Sequence, residues 1–140
     1  MSFKFLNIFI YLSSIFYSSC AYSAWEKVGK NNVEDTLYID FQIIRKSNNY
    51  VFWEMLKDQS NSILIAGIEY NSIKFNMKND CKLNRIKFIS FTIYKKSMGK
   101  GTGETTNFPK DYNWIDPASK PMFKKYFQQV CNYKNNSNDN

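Results

Sequence analysis

The chain has 140 residues, 19 lysines and arginines against 12 acidic residues, a formal charge of +7, and no histidine. That length is one domain, and without an imidazole there is no Ser-His or Cys-His nucleophile pair and no mixed Cys/His zinc site. Arg45 and Arg85 are the only arginines, and Lys, Asn, Ile, Tyr and Phe share A/T-rich codons, so the basic and aromatic excess reads first as genomic bias rather than as a polyanion-binding signature.

In chain order, the first segment is a leader. "MSFKFLNIFIYLSSIFY" carries Lys4 and then an apolar run from Phe5 to Tyr17, the length of a secretory h-region and shorter than the roughly 20 apolar residues that span a membrane. Its apolar residues lie all round a helix, which argues against a buried N-terminal helix in a small domain. Ala21 and Ser23 offer the small side chains that signal peptidase needs at −3 and −1, giving residues 1–23 as signal peptide and a mature start at Ala24. The lipoprotein enzyme would instead cut before Cys20, but Tyr17 is a poor stand-in for the usual leucine. Cys20 is therefore expected to leave with the leader, and the protein to meet a membrane only if Cys20 is lipidated. Export to the periplasm, the outer-membrane surface or the medium follows, and loss of Lys4 takes the charge from +7 to +6.

Most of the remainder reads as strands. "WEKVG" (25–29) is a short first strand. "DTLYIDFQIIRK" (35–46) alternates Leu37, Ile39, Phe41 and Ile43 against Tyr38, Asp40, Gln42 and Ile44, predicting one continuous strand. "SNNY" (47–50) is a hairpin turn, and residues 50–58 return. After a polar loop "QSNS" and the apolar "ILIAGI", "SIKFNMKNDC" (72–81) alternates again, "KLN" (82–84) turns, and residues 85–96 place Ile89, Phe91 and Ile93 on one face. "SMGKGTGETTNFP" is a glycine-spaced loop or an irregular edge hairpin. It is no phosphate loop, because Tyr94 stands where that motif needs a glycine. "SKPMFKKYFQQVC" (119–131) is a helix, capped by Ser119, with Pro121 in its first turn and Phe123, Tyr126, Phe127 and Val130 on one stripe. Residues 132–140 read as a disordered polar tail.

With Cys20 gone, Cys81 and Cys131 are an even pair in an oxidising compartment, for which a disulfide is the default and two buried free thiols the alternative. Cys131 continues the apolar helix stripe and so faces the sheet. Two thiols cannot complete a metal site. Asp40, on an otherwise apolar strand, reads as a carboxylate satisfied by Arg45 or a backbone donor rather than as a catalyst. The basic segment 82–100 (Lys82, Arg85, Lys87, Lys95, Lys96, Lys100) reads as a solvated lysine surface in preference to a nucleic-acid site.

The order of Trp25, "YIDFQIIRKSNNYVFW", "SIKFNMKNDC", "RIKFISFTIYKKSMGKG", "WIDPAS" and a helix ending "VC" resembles the surface-adhesin protein E family of small exported proteins of Gram-negative bacteria. The resemblance covers about Trp25 to Cys131. It implies an α+β domain over residues 24–131: an antiparallel sheet with the C-terminal helix packed on one face and a helix-to-sheet disulfide. Its namesake is an adhesin that contacts host matrix proteins. The expected function is thus an exported, non-catalytic protein-binding module without metal, cofactor or nucleic-acid partner, able to form a homodimer, with Lys87, Tyr94, Lys95, Lys96 and Trp114 as its candidate surface. The alternative is a soluble periplasmic housekeeping or inhibitor-type protein with a dedicated partner or small ligand.

Overall fold

The computed structural model describes residues 24–134. Residues 1–23, on which the expected signal peptide with Cys20 and Ser23 falls, and the last six residues lie outside them. Seven strands form one antiparallel sheet: β1 (Trp25–Lys30), β2 (Thr36–Asp40), β3 (Arg45–Ser47), β4 (Tyr50–Ile65), β5 (Ile68–Asp80), β6 (Arg85–Tyr94) and β7 (Gly103–Asn107). The spatial order is β1-β2-β4-β5-β6-β7, with β3 also on β4. A helix, α1 (Pro121–Asn132), covers one face.

The core lies between that inner face and the helix. Leu37, Ile39, Val51, Trp53, Met55, Met77 and Ile86 meet Phe123, Tyr126, Phe127 and Val130, the stripe expected from the sequence. Phe123 packs edge-on against Phe88, ring centroids 5.2 Å apart. Trp53 donates through Nε1 to Oδ1 of Asn79 (2.8 Å), whose amide in turn faces Sγ of Cys131. The disulfide joins Cys81, just past β5, to Cys131 in the last helical turn, with Cα atoms 5.8 Å apart.

Four local expectations are corrected. The strand foreseen over 35–46 breaks at Asp40, whose Oδ1 accepts from the Gln42 N–H and caps a 3₁₀ turn over Phe41–Ile43. The pairing with β4 slips by three residues across that turn. An odd slip inverts the alternation, so Ile44 is buried and Ile43 exposed. The "QSNS" segment is a bulge within β4 rather than a loop between strands: residues 59–62 stand opposite Asn71 alone, between the pairs Asp58↔Ser72 and Ile63↔Tyr70. Asp35 holds this bulge by accepting from the Ser60 N–H (2.9 Å). In β6, a second bulge turns Ile89 outward, away from the face that Phe91 and Ile93 share with Phe75 and Met77. Finally, Ser119 closes a separate 3₁₀ turn (Pro117–Ser119) by donating to the Asp116 carbonyl; the helix begins at Pro121. The fold also extends past the expected boundary at 131, since Tyr133 packs on Phe41 at 5.2 Å.

Candidate functional site

Among the described residues, three surfaces carry features that a partner could use. The first is the far end of the β4–β5 hairpin, beyond the bulge. There the chain reverses through Ala66 (φ 49°) and Gly67 (φ 80°), left-handed values at both central turn residues that suit the twist of a two-residue hairpin. Leu64, Ile65 and Ile68 flank the turn and are 68%, 44% and 38% exposed. Single exposed aliphatics are ordinary, but three within five residues at the end of a two-stranded arm form a patch.

The second surface is the free edge strand β7, exposed along its whole length. Glu104 on it accepts from the Tyr70 hydroxyl (2.8 Å) and carries charge on the edge, a common guard against strand-to-strand aggregation. Between β6 and β7, the segment 95–102 folds over the outer face and shields Leu56. Ser72 fixes it, donating to the Lys96 carbonyl (2.6 Å) and accepting from the Gly99 N–H (2.9 Å), while Asp58 accepts from the Met98 N–H (2.8 Å).

The third is the opposite end of the outer face. The Ile86↔Ile115 bridge places Trp114 beside β6, where it stacks on Tyr50 (centroids 6.1 Å, 16° between planes). Lys78 sets its ammonium 3.7 Å from the Tyr50 centroid, Arg85 lies 4.5 Å from that of Trp114, and Lys87 5.9 Å from the same ring. An open groove of about 770 Å³ lies alongside, lined by Ile43, Arg45, Phe52, Glu54 and Ile89 among others.

The five residues singled out from the sequence therefore do not form one site. Lys87 and Trp114 belong to the third surface. Tyr94, Lys95 and Lys96 lie at the other end of β6, seven or more residues on, which is about 20 Å at the rise of a strand. Tyr94 is also half-buried, its ring so close under Gly103 that a Cβ there would sit 2.7 Å from it. The hairpin arm escaped sequence reasoning because "QSNS" looked like a loop; the signal that was available is "ILIAGI" itself, an apolar run around a glycine.

Two of the buried acids, Asp35 and Asp80, are held below the ordinary carboxylate range. Burial pushes Asp35 up, but the Ser60 N–H, the Asn31 amide, the Lys57 ammonium and the Ser60 hydroxyl together bring it below the ordinary carboxylate range. Asp80 is likewise raised by burial and lowered further by the Leu83 N–H and Arg85. Both arrangements fasten turns and bulges. Asp40, whose burial the sequence made conspicuous, serves the 3₁₀ turn through a backbone donor. Among the described residues no group of three or more Cys, Asp or Glu side chains is placed to hold a metal ion, and no helix is long and apolar enough to cross a membrane.

Among solved structures, this fold is similar to protein E of Haemophilus influenzae. In its crystal form II that protein superimposes with a TM-score of 0.61 at 15% identity, covering 78% of this chain and 87% of the other. A second structure of it gives 0.59 at 15%, covering 78% and 84%, and its selenomethionine form gives 0.58 at 15%, covering 76% and 87%. Identity that low carries the fold and no more. No curated protein sequence matches the chain. The sequence model of surface-adhesin protein E matches residues 25–132, from the first strand to the end of the helix, and the chain belongs to that family.

Proposed function

We propose that this protein is an exported, non-catalytic adhesin-type module that holds a protein partner through the β4–β5 hairpin arm. Membership of a surface-adhesin family supports export and binding. The observation that carries the choice of surface is the exposed trio Leu64, Ile65 and Ile68. Fully burying one such side chain contributes about 1.5–3 kcal/mol; Leu64 and Ile65, 68% and 44% exposed, together amount to about one full burial, so a partner covering both gains roughly one to two orders of magnitude in affinity before costs. The lysines raise encounter rates with acidic partners without setting affinity. Cleavage after Ser23, with Cys20 discarded, remains part of the proposal, as does the mature start at Ala24.

The test is adhesion of protein-coated beads to a panel of purified extracellular-matrix proteins at 50 and 300 mM salt. Leu64→Ser combined with Ile65→Ser should cut capture at least tenfold at an unchanged melting temperature. Wild-type capture should fall only a few-fold with salt. A double variant that adheres as well as wild type removes the arm from the function, and steady turnover of any substrate by pure protein removes the module reading.

A further inference from the structure

Lys78 and Lys87 are direct partners across β5 and β6, on the same outer face. Like charges opposite one another are unfavourable in a sheet, and no carboxylate among the described residues lies within ion-pair distance of either. The fold holds both in place by other means. The Lys78 ammonium sits among three rings, 3.7 Å from Tyr50, 5.4 Å from Phe52 and 5.8 Å from Trp114. Lys87 donates to the Lys110 carbonyl at 2.6 Å and faces Trp114. Neither a ring nor a carbonyl cancels a positive charge. Both cations are thus fixed, half-buried and uncompensated, a local conflict of the kind that marks a functional site. The same row continues through Phe52 to Arg45, its partner on β3. It crosses four strands, about 14 Å at a strand spacing of about 4.8 Å. That length suits a chain of anions better than a single ion.

We propose that the Lys78–Lys87 row is a binding site for a sulfated glycan chain. Three features choose this occupant. The ring faces of Tyr50 and Trp114 are occupied by Lys78 and Arg85, so they are closed to the stacked bases that single-stranded nucleic acid would need. Of the two guanidiniums beside the row, Arg85 is committed through Nε and Nη2 to Asp80 (both 3.1 Å), which leaves Arg45, at the far end, as the one fork open to a carboxylate and makes the ammonium pair the centre of the site. The two lysines stand opposite one another on neighbouring strands, their ammonium groups act as point charges, and a tetrahedral sulfate can offer a different oxygen to each. The site is independent of the hairpin arm, at the other end of the sheet.

The probes are a heparin octasaccharide, its fully desulfated counterpart and an oligothymidylate of equal charge, titrated by calorimetry against the exported protein. Lys78→Gln with Lys87→Gln relieves a like-charge pair on a surface and should fold at least as well as wild type. It should lose tenfold or more in heparin affinity, and the slope of log K against log salt should shrink by about two. Lys95→Gln with Lys96→Gln removes the same charge from the far loop and should lose less than threefold. Equal losses from the two double variants overturn the site. Desulfated sugar or oligothymidylate binding as tightly as heparin overturns the ligand. The Leu64/Ile65 variant should bind heparin unchanged, which separates failure here from failure of the adhesin reading.

Discussion

Cutting the disulfide should weaken the fold far more than any single side-chain change. Cys81 and Cys131 are 50 residues apart in the chain, and the bond closes a loop containing β6, β7 and almost all of α1. The chain-entropy model gives about 4 kcal/mol for a loop of that size at 25 °C. For a domain of this length, unfolding entropy converts that to a fall of roughly 15 °C in melting temperature or more. The helix would then rest mainly on its apolar stripe of Phe123, Tyr126, Phe127 and Val130, with Met122 beside it. The assay is thermal melting by circular dichroism of the Cys81→Ser/Cys131→Ser double variant, with wild type in reductant as a second arm. The double variant leaves no lone thiol to form intermolecular bridges. A shift below about 5 °C in both arms would refute the reasoning, because the loop-closure term would then be absent from the unfolded state.

Two further outcomes follow from side chains in the sheet. Asp35 and Asp80 have folded pKa values below their unfolded ones, so their contribution is complete above the ordinary carboxylate range and fades as pH falls through the lower folded values; the urea midpoint should hold from pH 7 to about 5 and drop below about 4. Asp35→Asn with Asp80→Asn should flatten that drop, and a wild-type midpoint that rises on acidification would contradict it. Trp53→Phe keeps most of the buried ring but leaves Oδ1 of Asn79 without its donor, and should cost about 1–3 kcal/mol in urea unfolding; a loss under about 0.5 kcal/mol would show that the bond contributes nothing net.

The elements legible in the sequence are those that repeat a simple period or carry turn chemistry. The helix stripe from Phe123 to Val130, the turn at Asn48 (φ 54°) and the turn after Cys81 are where pattern placed them. Periodicity fails where the backbone inserts residues. Phe41–Ile43 and Ile89 each shift an alternation that continues unchanged in letters, and only pairing with β4 or β5 reveals it. The Ser-Asn composition of 59–62 truly reports unpaired backbone, but its donors go to Asp35 and Val33, far back in sequence. The binding surfaces were harder still. Lys87 and Tyr94 share a strand and looked like neighbours, whereas Lys78 and Lys87, nine residues apart, are the pair that stand opposite one another on adjacent strands.

The crosslink at Cys81 and Cys131 also decides how the protein would behave under tension. If a load is applied between the N-terminal strand and the chain beyond the helix, it passes directly from one sulfur to the other. The chain between them, a separation of 50 residues, then cannot be drawn out, which removes roughly 170 Å from the extension available at about 3.4 Å per residue. β1, the edge strand at the loaded end, has β2 as its one strand partner, with the Tyr126 hydroxyl on the Val28 carbonyl beside it, and would yield first, bond by bond. A tether built this way gives a little, early, and then stops short.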